Sequence, residues 1–239
     1  MGRRQWNTLH HVAGAPGTGG GAGGPGGLEL ATLVFMDLHE DEDGDIEIKG
    51  VNYSEMPLQI IDTGYGLERF CWAAAGTPTI YEAIYPESVA WLKEQAGFSA
   101  TRFNMSQGEL DSLLGEMSRL FGIMNIEAGS DGDRMREVFL ARLEERGYSI
   151  DAEIFASITD PLSRIYAIPD HMHALVNMLG DGLVPSNAKA GYLARMIARR
   201  VLRMRDELEL EISLADLASH HLEMNYSATR MKQTQDGLL

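Results

Sequence analysis

Positive charge is scarce in this chain: 20 Lys and Arg stand against 35 Asp and Glu in 239 residues, a formal net charge of −15. So large an acidic excess repels nucleic acid unless basic side chains are gathered in one place. Cysteine is almost absent. The single Cys71 excludes an internal disulfide framework and favours a reducing compartment. Beside Phe70 and Trp72 it reads as a small buried thiol rather than a nucleophile. No apolar run reaches the length of a membrane span, so no membrane partner is expected. Arg3 and Arg4 have no apolar stretch behind them, so a signal peptide is not expected either, and the expected location is cytoplasmic. What remains, 44% hydrophobic and 23% charged, is ordinary for a globular protein with a sizeable core.

Residues 14–27 are mostly glycine with Ala, Pro and Thr. Such a segment buries too little apolar surface to offset its ordering entropy, which makes residues 1–27 an expected disordered arm. Three strands are expected next, at 28–38, 46–49 and 57–61, with the acidic cluster Glu40-Asp41-Glu42-Asp43-Gly44-Asp45 as the first turn. Helical periodicity follows over 67–75 and over 79–96, where Pro86 must break or kink the run. Further helices are expected at 107–121, 131–146, 151–157, 162–179 (started by Asp160-Pro161), 189–208 and 214–224. The expected fold class is therefore α+β, with a small antiparallel sheet in residues 28–100 and a mainly α-helical piece over 101–239.

Chemistry concentrates where Ile60-Ile61-Asp62-Thr63-Gly64-Tyr65-Gly66-Leu67-Glu68-Arg69 joins a strand to a helix. Two glycines there let a bulky ligand lie against the backbone. Asp62 suits an ammonium group, and the fork of Arg69 suits a phosphate. The run lacks the third glycine of a dinucleotide-binding fingerprint, and its strand reads as antiparallel, so a Rossmann turn is a poor fit. A purely structural turn with Arg69 on the surface stays open on spacing alone.

A second concentration is basic. No acid occurs between Asp181 and Asp206, while Lys189, Arg195, Arg199, Arg200, Arg203 and Arg205 all do. Arg195, Arg199 and Arg203 recur every fourth residue and share one helix face. Gathering cations like this in so acidic a chain is what an RNA backbone requires. The alternative is an arginine face paired with acids of neighbouring helices. His171, His173, His220 and His221 could suggest a metal site, but helical residues one or two apart point in different directions, and no metal is expected.

Asp62-Thr63-Gly64-Tyr65-Gly66-Leu67-Glu68-Arg69 resembles motif 3 of the class II aminoacyl-tRNA synthetases in the form used by alanyl-tRNA synthetases. Leu28-Glu29-Leu30-Ala31-Thr32-Leu33-Val34-Phe35-Met36 and Gly76-Thr77-Pro78-Thr79-Ile80-Tyr81-Glu82-Ala83-Ile84-Tyr85-Pro86 resemble flanking segments of the archaeal members. A second block, from Ala167-Ile168-Pro169-Asp170-His171 through Asp181-Gly182-Leu183-Val184-Pro185-Ser186-Asn187 to Gly191-Tyr192-Leu193-Ala194-Arg195, resembles the family's tRNA-recognition domain.

The resemblance implies activation of alanine with ATP and Mg2+, then transfer of alanine to tRNA-Ala. Arg69 would hold the ATP γ-phosphate and Asp62 the α-ammonium of alanine, both as catalytic residues. Gly64 and Gly66 would leave room for the adenylate, and Thr32 would line the same pocket. Asn187 would read the G·U pair of the acceptor stem, its amide carrying donors and an acceptor. Lys189, Arg195, Arg199, Arg200 and Arg203 would hold the RNA. Motifs 1 and 2 are not found upstream of Leu28, and zinc is expected only in an editing domain outside this sequence. The chain thus reads as an internal fragment, the end of a catalytic domain (28–100) and tRNA-recognition helices (101–239), expected to be inactive alone. A non-catalytic acceptor-stem binder is the second reading. Nothing in the sequence sets an oligomeric state.

Overall fold

A computed structural model describes residues 30–123 and 132–226; the glycine-rich segment expected to form an arm lies outside the described residues. In chain order the elements are β1 (Ala31–Glu40), β2 (Ile46–Ile48), β3 (Val51–Tyr65), α1 (Leu67–Ala75), α2 (Ile80–Ile84), α3 (Pro86–Gln95), a 3-10 turn (Ala100–Phe103), α4 (Gln107–Ile123), α5 (Gly132–Glu145), α6 (Ala152–Gly180), α7 (Lys189–Glu207) and α8 (Leu214–Asn225). An antiparallel sheet precedes a mostly helical remainder, so the α+β expectation holds. The chain divides into two compact units, Met1–Ile80 with Gly115–Ala128 and Tyr81–Leu114 with Gly129–Leu239.

In the first unit the three strands are ordered β1-β3-β2, and both pairings are antiparallel. Lys49 and Gly50, with φ of 52° and 79°, make the two-residue turn between β2 and β3. Two successive positive φ values match the right-handed twist of the flanking strands. Lys49 was expected to end a strand and instead begins this turn. β3 is far longer than the expected 57–61. The expected strand begins only at Pro57, a residue that cannot donate to a ladder. The register jumps there, from Leu38 opposite Glu55 to Met36 opposite Ile60. Pro57 thus falls in an irregularity where no ladder donor is needed.

β3 also continues through Thr63, Gly64 and Tyr65. The expected glycine turn is therefore mostly strand, and Gly66 alone stands between β3 and α1. The α1 helix matches its expected span and ends at Gly76 in the left-handed region (φ 66°), whose N–H donates to the Trp72 carbonyl at 2.9 Å. None of its nine residues is fully buried, and Cys71 is exposed. The buried-thiol expectation for Cys71 is thus corrected: its helix has no buried side.

In the second unit the core lies where α3, α6, α7 and α8 meet. Val89 and Leu92, Ile158, Ile165, Ile168 and Met172, Ala194 and Val201, and Leu217 and Leu222 are all nearly inaccessible. The 29-residue α6 replaces two expected helices, with Pro161 and Pro169 inside it. A proline in a helix interior costs about 3 kcal/mol. Against that, α6 buries nine residues, including Phe155, Ile158, Leu162, Ile165, Pro169 and Met172 at alternating spacings of three and four. Each large apolar side chain contributes roughly 1.5–3 kcal/mol, so the stripe overrides the breaks. Asp151 caps the start by accepting from the Ile154 N–H at 2.7 Å.

Candidate functional site

Register decides which strand residues can act together. Thr32 is opposite Gly64 and Val34 is opposite Asp62. Residues directly opposite in an antiparallel pair share a face, and so do residues two apart along one strand. Thr32, Asp62 and Gly64, three of the residues expected at the alanine and ATP pocket, therefore lie on one face of the β1/β3 ribbon, with the exposed carboxylate of Asp62 among them. Gly64 adds no side chain to the face.

Gly66 closes this edge. Its N–H donates to the Leu30 carbonyl at 2.9 Å, and its own carbonyl accepts from the Arg69 and Phe70 N–H groups at 3.0 and 3.1 Å, starting α1. A Cβ on Gly66 would meet Arg69 Cδ at 2.9 Å and Cγ at 3.2 Å. The arginine stem thus lies across bare backbone, in the first turn of a helix whose N-terminal end favours anions. The first unit brings an exposed acid, a side-chain-free patch and an arginine together within one strand-to-helix connection.

The other expected residues lie in the second unit. The 183–188 loop folds back onto α7: the Ser186 N–H donates to the Gly191 carbonyl at 3.0 Å. A Cβ on Gly191 would overlap Ser186 Oγ and come within 2.6 Å of the Val184 carbonyl oxygen, so only glycine admits this approach. Asn187 sits exposed in the loop, and its Oδ1 accepts a hydrogen bond from Arg195 Nη1. Lys189 opens α7, whose first turn carries no acid. Beyond it Tyr192, Arg195, Met196, Arg199, Arg200 and Arg203 line one shallow groove.

Among the described residues, Arg195, Arg199 and Arg200 form no ion pair with a carboxylate. Arg203 is 3.7 Å from Glu207, and Arg205 is 2.6 Å from Asp206. The alternative of a fully paired arginine face therefore applies only to the far end of the helix. Tyr192, 56% exposed, was missed from sequence, although its position three before Arg195 and seven before Arg199 puts it on their face. Gly191 was missed as the residue that seats the loop.

The histidines form a packed cluster. Tyr226 Oη and His173 Nδ1 are 2.8 Å apart, and Asn177 Nδ2 donates to Tyr226 Oη at 2.9 Å. His220 stacks on Trp91 at 3.7 Å, while His221 is buried against Tyr85 and His173. Burial, reinforced by His173 and His220, pushes the His221 pKa down to about 4. Among the described residues no three His, Cys, Asp or Glu are placed to hold a metal ion, and no helix is long and apolar enough to cross a membrane.

The family described as tRNA synthetases class II (A) matches residues 29–236. The chain belongs to that family. It is 46% identical over 212 residues to an alanine–tRNA ligase of Archaeoglobus fulgidus, covering 86% of this chain and 22% of the relative. The corresponding ligase of Methanosarcina mazei is 43% identical over 214 residues, covering 87% of this chain and 22% of the relative. That of Halobacterium salinarum is 43% identical over 209 residues, covering 84% and 21%. The archaeal resemblance read from the motifs is thus borne out. This class II synthetase chain spans about a fifth of the length of the curated relatives it matches.

Proposed function

We propose that this chain supplies two working parts of an alanine–tRNA ligase: the motif 3 side of the alanine and ATP pocket, in residues 28–100, and an acceptor-stem contact, in residues 101–239. The observation that carries the reading is the shared face of Thr32, Asp62 and Gly64, which runs into Gly66 and Arg69. On that face the Asp62 carboxylate accepts the α-ammonium of alanine. Gly64 leaves space for the adenine and ribose, Gly66 leaves room for the Arg69 stem, and Thr32 lines the floor. Arg69 binds the γ-phosphate, offsetting charge that grows on the departing pyrophosphate. Mg2+ would enter with the nucleotide, held chiefly through its phosphates, as is usual for this ion. In the second unit, Asn187 reads the G·U pair with Arg195 against its side chain, while Lys189, Arg199, Arg200 and Arg203 hold the backbone. Such an enzyme works in the cytoplasm, where tRNA is charged.

Among the described residues of this face, Thr32, Val34, Asp62 and Gly64, none carries the positive charge that a contact to the ATP α-phosphate would need, so the isolated chain binds without catalysing. Alanine-dependent exchange of pyrophosphate into ATP tests this. The expected result is none from the isolated chain, and robust exchange would overturn it. The second reading, an acceptor-stem binder without catalytic role, is favoured by the groove with three arginines not ion-paired among the described residues. It predicts tight RNA binding together with no binding of alanine or ATP. Equilibrium dialysis with labelled ATP separates the two readings.

A further inference from the structure

We propose that Arg195 is a positioning residue that locks the Asn187 side-chain amide in one orientation, with its oxygen turned to the protein and its NH2 left to face RNA. The inference rests on the reading above in which Asn187 contacts a base pair, and it specifies how. An asparagine amide is ambiguous by itself, since it offers two donors at one end and an acceptor at the other. Rotation by half a turn exchanges them, and an exposed loop residue has no intrinsic preference. Here the ambiguity is removed by chemistry. Arg195 Nη1 lies against one end of the amide, and a guanidinium can only donate. The atom facing it must therefore be Oδ1, which leaves the NH2 end outside.

The geometry around the pair is built for this contact. Asn187 and Arg195 are eight residues apart, and their meeting depends on the loop folding back over the first turns of α7. Gly191 allows that fold by carrying no Cβ where Ser186 and Val184 press on it. The Ser186 N–H holds the loop to the Gly191 carbonyl at 3.0 Å. Ser186 Oγ bridges onward, donating to the Ala188 carbonyl at 3.2 Å and accepting from the Ala188 N–H at 3.4 Å, so both neighbours of Asn187 are tied down. Arg195 stands one helical turn beyond Gly191 on the same face. Among the described residues it forms no ion pair with a carboxylate that would draw its guanidinium elsewhere. Asn187 is thereby a donor-only reader. It favours a pair that presents a carbonyl acceptor where G·C presents an amino donor, as the uracil 4-carbonyl does in place of the cytosine 4-amino group.

A phosphate contact is the competing role for Arg195, and the two roles differ in what they do to discrimination. Binding of the chain to two acceptor-stem hairpins, identical except for G·U or G·C at the recognised pair, is measured across a salt series. The wild type is expected to prefer G·U by about tenfold, the scale of one well-placed side-chain-to-base contact. Arg195→Met, which keeps the stem and removes every donor, brings that preference to within about twofold. Arg195→Lys, which restores a donor, recovers most of it. An equal loss of affinity for both hairpins with the preference intact, and a salt slope lower by about one, would make Arg195 a backbone contact and overturn the proposal. The free chain gives a readout independent of RNA: the two Asn187 Nδ2 proton resonances should shift and broaden in Arg195→Met, and unchanged resonances would also overturn it. Asn187→Ala separates this proposal from its foundation. If Asn187→Ala retains the preference, the base-pair reading itself fails. If Asn187→Ala loses it while Arg195→Met retains it, only the orienting role fails.

Discussion

Gly66 and Arg69 are fitted to each other: the arginine stem crosses the space that a side chain at 66 would fill, with Cδ 2.9 Å from an added Cβ. Gly66 has φ of −84°, which alanine adopts without strain, so Gly66→Ala should leave the fold intact and push the Arg69 side chain aside. ATP affinity is expected to fall by about tenfold in Arg69→Ala, the scale of a lost charge-assisted hydrogen bond. It should fall by a smaller factor in Gly66→Ala, with no more than a few degrees' change in Tm. Dialysis or calorimetric titration with ATP checks both. Equal affinity in all three proteins would remove Arg69 from the pocket.

Gly191 offers a contrasting case, because its neighbours are loop backbone and a short side chain rather than a flexible stem. Gly191→Ala forces the 184–186 segment off α7, an overpacking that costs roughly 1–3 kcal/mol. Urea unfolding should give a lower midpoint with the slope unchanged. The same substitution should weaken selectivity between hairpins, since Asn187 rides on the displaced loop. A midpoint equal to wild type would mean that the loop is not seated on Gly191.

Acid should destabilise the second unit through His221. Its folded pKa of about 4 lies below the ordinary value of 6.5 because burial, with His173 and His220 nearby, penalises the charged form. Between those two values the unfolded chain binds the extra proton, so stability rises with pH there. The His221 contribution is fully present above about pH 6.5 and lost progressively as pH falls toward 4. A shift of this size corresponds to about 3 kcal/mol. His220 acts in the same direction: burial lowers its pKa, while Glu223 and Glu87 oppose the shift. Chemical denaturation at pH 7.5 and 5 should show the loss, and His221→Gln should flatten it. A pH-independent midpoint in the wild type would contradict the burial of a neutral imidazole.

What the sequence made legible was local. The start of α1 after Gly66 and its end at Gly76 follow from glycine punctuation, and the basic stretch of α7 is visible as a run without acids. What it hid was decided by partners remote in sequence. Pro57 looked like a strand start because nothing in the sequence reveals that the β1 register shifts opposite it. Pro161 looked like a helix start because the stripe that carries α6 through it gains its value from helices remote in sequence, α3, α7 and α8 among them. The meeting of Asn187 with Arg195 has no sequence signature either, since it depends on a loop folding over Gly191. The common face of Thr32, Asp62 and Gly64 became visible only with the register, because a slip of one residue would have sent Thr32 to the opposite side.

The groove on α7 makes a quantitative prediction about salt. In a chain of net charge −15, long-range electrostatics oppose RNA binding, so affinity must come from cations held close to phosphates. Arg199 and Arg200 line the groove and form no ion pair with an acid among the described residues, and no internal partner must be given up when RNA arrives. Arg205 instead lies 2.6 Å from Asp206 and donates to the Ile212 carbonyl at 3.3 Å, outside the groove. Each cation that neutralises a phosphate releases condensed counterions and steepens the fall of log K with log salt by nearly one. Arg199→Gln and Arg200→Gln should each reduce that slope by about one and weaken G·U and G·C hairpins alike. Arg205→Gln should leave the slope unchanged while lowering Tm slightly through its lost links to the end of α7. A slope that responds to Arg205 but not to Arg199 or Arg200 would place the RNA on a different face of the helix.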